Sequence, residues 1–218
     1  MTLHFQREVD KLKKMILAEA AVVEDGLRKA LKALREGDLS LAKQVYDSDS
    51  EIDRMEIDVE EEALKILALH QPVAQDLRFI IAVIKINNDL ERIGDLMANM
   101  AKRVDVFVAK PDIRIPEKIY KMARLSESMV RDALSALVDM DEKLSAEVCS
   151  ADEQVDTLHK EMFAYVQQEI KKQPQHTGVL LHQIGLSRNL ERIADHATNI
   201  AEDVIYMVSG KISRHKNL

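Results

Sequence analysis

Acidic residues that recur at intervals of four positions are the strongest chemical signal in this sequence. Four residues make about one turn of an α-helix, so the two side chains of such a pair lie one above the other on the same face. Like charges at this spacing repel each other, and a cation held between them removes the repulsion. Four pairs occupy related positions in the chain: Asp49 and Asp53, Glu91 and Asp95, Asp152 and Asp156, and Glu191 and Asp195.

Two of these pairs are followed, one helical turn later on the same face, by an asparagine: Asn99 after Asp95 and Asn199 after Asp195. Carboxylate and amide oxygens are the ligands that hard cations prefer. The sequence therefore predicts divalent or trivalent metal ions as cofactors, and iron, manganese, magnesium, zinc and calcium all remain open. The alternative is a solvated surface on which Arg92, Arg192 and Lys160 neutralise the acids without a metal.

The acid pairs belong to an internal repeat. Residues 88–104 and 188–204 align without gaps and share eight of seventeen residues. Further towards the amino terminus, three aspartates recur 103 positions later: Asp38, Asp49 and Asp53 correspond to Asp141, Asp152 and Asp156. A repeating unit of about 100 residues predicts two copies of one small fold, each with two acid pairs.

The elements that must position these acids are amphipathic helices, because apolar residues advance along the chain in steps of three and four. Glycine and proline residues interrupt this pattern at Gly37, at Gln71-Pro72 and in the central segment Lys110–Pro116. Six long helices are predicted: one before Gly37, then 39–70, from Pro72 to about Val108, 117–138, 142–172 and 178–208. The predicted fold class is all-α, with two tandem, internally repeated antiparallel three-helix bundles that span residues 1–110 and 111–218.

The composition argues against several classes of function. Asp and Glu number 38 against 31 Lys and Arg, and neither half of the chain has a basic surplus, so nucleic acid is not an expected partner. The single cysteine, Cys149, excludes a disulfide framework and indicates a reducing compartment. No segment has the apolar run that a signal peptide or a membrane span requires. We therefore expect a cytoplasmic protein.

No motif in the chain indicates catalysis. The Gly-rich phosphate loop, the nucleophile motifs and the dinucleotide fingerprint are all missing from the sequence. Asp156 and His159 form one Asp-x-x-His, but di-iron bundles carry Glu-x-x-His on two helices, and Glu56 takes the histidine's position in the first repeat. We expect a protein that is not an enzyme. A carboxylate-bridged metalloenzyme and a metal-independent helical scaffold are the alternatives.

Three segments closely resemble the PhoU family of phosphate-transport regulators: residues 71–78 (QPVAQDLR), 88–95 (NDLERIGD) and 188–196 (RNLERIADH). The resemblance extends over essentially the whole chain. It implies a cytoplasmic accessory protein that restrains the phosphate-starvation response when phosphate is plentiful. It also implies that the four acid pairs named above are the family's metal motifs.

The resemblance further implies two protein partners, the ATPase subunit PstB of an ABC-type phosphate transporter and the membrane sensor histidine kinase PhoR. The chain would then contact a membrane only through its partners. Asp76 and Arg78 are weaker candidates for partner binding, because the second repeat lacks their equivalents after Gln173-Pro174. The other interpretation is that Asp76 stabilises the first turn of a helix and Arg78 pairs locally.

The number and length of the helices also bear on the oligomeric state. Two thin bundles of amphipathic helices tend to leave apolar surface uncovered. A second copy of the chain can cover such a surface by symmetry. The sequence therefore predicts a homodimer or a higher oligomer.

Overall fold

The fold is all-α in residues 3–210, the part of the chain that the structure, a computed structural model, describes. The helices are α1 (Leu3–Glu36), α2 (Leu39–His70), α3 (Ala74–Ala101), α4 (Val104–Val108), α5 (Glu117–Asp139), α6 (Glu142–Lys172) and α7 (Thr177–Ser209). A short 3-10 helix, Pro174–His176, precedes α7. The six long helices of the predicted all-α fold are confirmed as α1–α3 and α5–α7. Within the described range, no helix is long and apolar enough to cross a membrane.

Two aspartates fix the start of the second long helix in each repeat. A carboxylate placed just before a helix accepts hydrogen bonds from backbone N–H groups that have no partner inside the helix. The Asp38 carboxylate accepts from the backbone N–H of Leu41 (2.9 Å). The Asp141 carboxylate accepts from those of Lys143 (2.9 Å) and Leu144 (3.0 Å). The recurrence of Asp38 as Asp141 in the sequence therefore reflects helix capping.

The third helix is shorter than the sequence predicts. We expected it to continue to about Val108, but α3 ends at Ala101 and a two-residue turn separates it from the short helix α4. A hydrogen bond of 3.0 Å from the backbone N–H of Arg103 to the carbonyl three residues earlier tightens the chain at this turn. Val104 and Phe107, which follow the turn, are both buried.

The two repeats pack against each other. Residues 110–116 form the predicted non-helical linker between them. Helix α3 contacts α7 along much of its length, and α1 contacts α5. Because the repeats share this interface, their division into independent domains at 1–110 and 111–218 stays a prediction.

Each repeat has an apolar core enclosed by its three long helices, and the cores of the two repeats are continuous. Leu12 and Ile16 of α1 and Leu90 and Ile93 of α3 are fully buried in it. Burial of Leu90 and Ile93 fixes the rotation of α3 about its axis. Glu91 is consequently held at the edge of the core, where its side chain is half-buried.

Candidate metal centres

Three carboxylates of the second repeat converge where α6 packs against α7. One carboxylate oxygen each of Asp152, Asp156 and Asp195 lies within 4.8 Å of the other two. Glu191 lies one turn before Asp195 on α7, near enough for its charge to raise the pKa of Asp152. Three of the four acids predicted for this repeat therefore converge between two helices, and the charge of the fourth acts on them.

The Asp152 carboxyl lacks a counter-charge in this cluster. Its Oδ1 atom is buried and accepts no hydrogen bond from the described residues. Burial, followed by the charges of Asp195, Asp156 and Glu191, raises the pKa of Asp152 to about 6. Burial and the charges of Glu191 and Asp156 also raise the pKa of Asp195, against the opposing effect of His196. An oxygen-binding cation would satisfy Oδ1 and neutralise the cluster, so these residues fit a metal ion.

The first repeat holds its four predicted acids further apart. Asp49 and Asp53 lie on α2, and Glu91 and Asp95 lie on α3. No three of these acids bring their carboxylate oxygens within 4.8 Å of one another. Their charges still act on each other, because burial, Asp53 and Asp95 raise the pKa of Asp49. Burial and Asp95 likewise raise the pKa of Glu91. The two pairs face each other across α2 and α3 at a wider spacing than in the second repeat.

Basic side chains neutralise part of this charge, as the metal-free alternative requires. Arg92 lies 3.4 Å from Glu91 (Nε to Oε2) and 3.4 Å from Asp95 (Nη1 to Oδ2). In the second repeat, Lys160 lies 4.0 Å from Asp156. The neutralisation is incomplete, because Glu91 Oε2 is buried and accepts no hydrogen bond. Arg92 Nε lies within ion-pair distance of this oxygen, but the contact does not have hydrogen-bond geometry.

A glycine sets the close approach of the helices that carry the acids of the first repeat. A Cβ atom at Gly94 would lie 3.1 Å from Cδ1 of Ile52, which leaves no room for a methyl group unless Ile52 moves. The corresponding residues of the second repeat are Val155 and Ala194, both fully buried. One repeat thus places a larger side chain opposite a glycine, and the other has a smaller side chain and an alanine at the same two positions.

Glu19, which was not predicted as a ligand, is a buried acid whose pKa responds to the charges of Glu56 and Glu91. Glu19 on α1 is fully buried, and neither of its carboxylate oxygens has a hydrogen-bond partner among the described residues. Burial, followed by the charges of Glu56 and Glu91, raises the pKa of Glu19 to about 8. The signal in the sequence was an acid inside the apolar stripe of the first helix, between Ile16 and Val23.

The two predicted asparagine ligands lie in different surroundings. Asn99 is exposed. Asn199 is half-buried at the contact between α3 and α7, where its Nδ2 donates to Oδ1 of Asp89 (3.1 Å). His196 Nδ1 lies 2.7 Å from the same oxygen. Asn199 and His196 therefore connect the two repeats through Asp89, and the role of either asparagine as a metal ligand stays a prediction.

His159, the histidine of the single Asp-x-x-His, contacts the neighbouring helix. Its Nδ1 lies 2.5 Å from Oγ of Ser187, a fully buried serine on α7. This contact gives the histidine a structural role in the packing of α6 on α7.

Arg78 reaches the opposite repeat. Its guanidinium lies beside Gly210 at the carboxyl end of α7, where a Cβ atom would lie 3.6 Å from Cζ. The carboxyl end of a helix carries partial negative charge, which favours a cation there. Arg78 Nε has no hydrogen-bond partner within residues 3–210, which does not favour the interpretation that Arg78 pairs locally, whereas Asp76 lies in the first turn of α3.

A second cluster with metal-binding donor types lies at the other end of the first repeat and was missed by the sequence analysis. Donor atoms of His4, Glu8 and His70 lie within 4.8 Å of one another. Glu8 Oε2 lies 2.5 Å from His70 Nε2, and Glu8 Oε1 lies 3.1 Å from the ammonium of Lys65. Because Lys65 already neutralises Glu8, the cluster joins α1 to the end of α2 as an ion-pair network.

The fold and the site define an internally duplicated helical protein with acid pairs on two helices of each repeat, which converge into a carboxylate cluster in the second repeat. The family model described as the PhoU domain matches residues 16–104 and 119–204, once in each repeat. The chain belongs to the PhoU family.

Relatives from several bacteria match along nearly the whole chain. A protein from Thermotoga maritima named phosphate-specific transport system accessory protein PhoU homolog 1 is 33% identical, and the alignment covers 95% of this chain and 90% of that protein. The PhoU homolog of Pseudomonas aeruginosa is 36% identical, with 98% and 89% covered.

Solved structures agree with this assignment. The crystal structure of PhoU from Pseudomonas aeruginosa superimposes with a TM-score of 0.92 at 36% identity, covering 95% of this chain and 100% of that one. The phosphate transport system regulatory protein PhoU from Streptococcus pneumoniae has a TM-score of 0.86 at 30% identity, covering 95% and 98%.

Proposed function

We propose that this chain is a non-enzymatic, metal-binding regulator of phosphate uptake. The observation that carries this proposal is the match of both repeats to the PhoU family, whose members compared above are named as accessory or regulatory proteins of phosphate transport. The carboxylate cluster of the second repeat supports the metal-binding part. Within the described residues, the buried Oδ1 of Asp152 has no hydrogen-bond partner that would compete with a cation.

In this proposal the metal ligands are carboxylates from two helices of each repeat. A bound cation supplies the positive charge that allows these acids to approach one another, and so it stabilises the packing of α2 on α3 and of α6 on α7. Oxygen donors suit iron, manganese, magnesium, zinc or calcium. The proposed ligands are Asp49, Asp53, Glu91 and Asp95 in the first repeat and Asp152, Asp156, Glu191 and Asp195 in the second, with Asn99 and Asn199 as additional oxygen donors.

The proposed regulator acts in the cytoplasm as a homodimer or a higher oligomer. It links the transporter ATPase subunit, PstB, to the sensor histidine kinase, PhoR, and lowers the phosphate-starvation response when phosphate is plentiful. A net charge of −7 is unfavourable for direct binding to anionic lipid, which supports membrane contact only through these partners. Asp76 and Arg78 remain candidates for partner contact at the start of α3.

Gene deletion tests the regulatory role. Loss of the chain should leave phosphate-starvation promoters active in phosphate-rich medium, and the wild-type gene should restore repression. Normal repression in the deletion strain would refute the proposal. Complementation with the Glu91→Ala, Asp95→Ala, Glu191→Ala, Asp195→Ala variant then measures whether repression needs the metal sites.

A further inference from the structure

We propose that Glu19 is an interior metal ligand of the first repeat, supplied by α1, and that it makes the two metal sites of this protein unequal. The inference rests on the proposed metal binding and extends it to a helix that carries none of the repeated acid pairs. The ligand class is a hard cation held by carboxylate oxygens.

The first observation is the isolation of the Glu19 carboxyl. The residue is 0% exposed, and both Oε1 and Oε2 lack a hydrogen-bond partner within the described part of the chain. A buried carboxylate with no donor and no counter-charge is strongly destabilising, so a native structure supplies a proton or a cation. None of the basic residues described contributes favourably to it, since the charges that act on it are those of Glu56 and Glu91.

The second observation concerns the helices and acids that surround Glu19. Helix α1, on which Glu19 is fully buried, packs against α2 and α3, the two helices that carry the predicted ligands. The acidic neighbours of Glu19 come from both of them, Glu56 from α2 and Glu91 from α3. Glu91 Oε2 is also buried without a hydrogen bond. Two buried carboxyl groups with unpartnered oxygens therefore lie near enough for their charges to interact, and in the proposed site one cation binds both.

The third observation is that the second repeat has no equivalent acid. The apolar pattern of α1 aligns with that of α5 at an offset of 103, for example Ile16 with Ile119 and Leu34 with Leu137. This alignment places Met122, which is fully buried, at the position of Glu19. The second repeat therefore has the apolar thioether of Met122 at this position, whereas the first repeat has the carboxyl group of Glu19.

Glu56 increases the difference between the sites. Its position in the second repeat is taken by His159, whose Nδ1 contacts Ser187. Counting Glu19 and Glu56 with the four predicted ligands gives six acids in the first repeat against four in the second. The first site should therefore bind the more positive charge, and it should do so deeper in the bundle.

The test uses Mn²⁺ alone as the probe, measured by electron paramagnetic resonance of free Mn²⁺ during titration. The full chain carrying Asp152→Ala and Asp195→Ala isolates the first site. Two further variants are made in this background. Glu19→Gln removes the charge, and Glu19→Asp keeps the charge but shortens the side chain by one methylene. Glu62→Gln is the matched control, because Glu62 is another buried glutamate of the first bundle and is neutralised by Lys11.

We expect both Glu19 variants to weaken Mn²⁺ binding at the first site by roughly tenfold to a hundredfold. Glu62→Gln should leave the affinity unchanged. Without metal, Glu19→Gln should raise the melting temperature, because an amide is less costly to bury than an unpaired carboxylate. This last measurement reports on Glu19 independently of metal affinity.

The outcomes separate the inference from the function on which it rests. Unchanged Mn²⁺ affinity in Glu19→Gln would overturn the inference and leave metal binding intact, with Glu19 simply holding a proton. Full affinity in Glu19→Asp would overturn direct ligation. A parent chain that binds no Mn²⁺ at either site would overturn the proposed metal binding and the inference together.

Discussion

At the scale of single residues, the groups that should respond most to pH and to added cations are buried carboxyl groups without a hydrogen-bond partner. Asp152 is such a group in the second repeat and Glu19 in the first. Sequence patterns could identify Asp152, because it repeats the position of Asp49. They could not identify the role proposed for Glu19, because that role depends on how α1 packs on α2 and α3, and helical periodicity does not specify which helices meet.

The acid pairs predict separate losses of metal from the two repeats. Glu191→Ala with Asp195→Ala should remove metal from the second repeat and spare the first, and Glu91→Ala with Asp95→Ala should do the converse. Metal should also raise the melting temperature, since a ligand at 100 times its dissociation constant stabilises the folded state by about 2.7 kcal/mol. Elemental analysis after dialysis and thermal denaturation measure the two effects.

The control for this experiment is an acid pair with the same spacing on an exposed surface. Asp47 and Glu51 lie four residues apart on α2 and are both exposed. Their replacement with alanine should leave the metal content unchanged. Wild-type metal content in both double variants of the proposed site would mean that its acids are only a solvated surface.

Glu8 predicts a stability change at acid pH. Its hydrogen bonds with His70 and then with Lys65 hold its pKa below the ordinary value of 4.5. The charged form is therefore favoured by folding, so this contribution is fully present above about pH 4.5 and is lost as the pH falls through the lowered pKa. The melting temperature of Glu8→Gln should lie below that of the wild type at pH 7, and the difference should shrink as the pH falls below 4.5. A difference that is constant from pH 7 to pH 3 would contradict this linkage.

At the scale of helices, the sequence predicted the elements well because its local signals are strong. Asp38 and Asp141 mark helix starts, and Gly37 ends α1 in a left-handed conformation with φ of 67°. The sequence does not predict the carboxyl end of α3, because the residues up to Val108 keep helical spacing; beyond the turn at Lys102, Phe107 is buried. That burial is a tertiary contact, which no local pattern encodes.

The close approach of α2 and α3 predicts coupling between Ile52 and Gly94. Ile52→Val should cost about 1 kcal/mol by leaving a small cavity. Gly94→Ala gains about 1 kcal/mol of helix propensity but crowds Ile52. Together the two substitutions should be more stable than the sum of the single effects by about 1 kcal/mol, because valine lacks the Cδ1 atom that the new methyl group meets. Urea denaturation of the four proteins measures this coupling, and strict additivity would show that the helices can move apart at no cost.

At the scale of the whole molecule, the two repeats are joined by polar groups as well as by apolar packing. Asp89 on α3 accepts from Asn199 on α7, and Lys85 lies 3.3 Å from Asp203 across the same contact. The resemblance of the repeats predicted two bundles but gave no information about this interface. Most of its polar residues differ between the repeats, although Asn199 is matched by Asn99, and Arg78, which contacts the end of α7, has no equivalent.

Exposed apolar side chains support the predicted oligomer. Leu64 on α2 and Phe163 on α6 are each about half exposed, at 52% and 50%. Burying such groups against a second copy is favourable. Light scattering at micromolar concentration should therefore give a mass of a dimer or larger, and a stable mass near 24.8 kDa with or without metal would contradict the prediction.

The pairing of Ile52 with Gly94, and of Val155 with Ala194, also limits how parts of this protein can be exchanged. A chimera that moves α7 into the place of α3 brings an alanine against Ile52, and the reverse transplant leaves Val155 facing a glycine and an empty volume. Exchanging the second and third helices of a repeat together preserves this pairing, and the acid pairs of the site move with the hairpin.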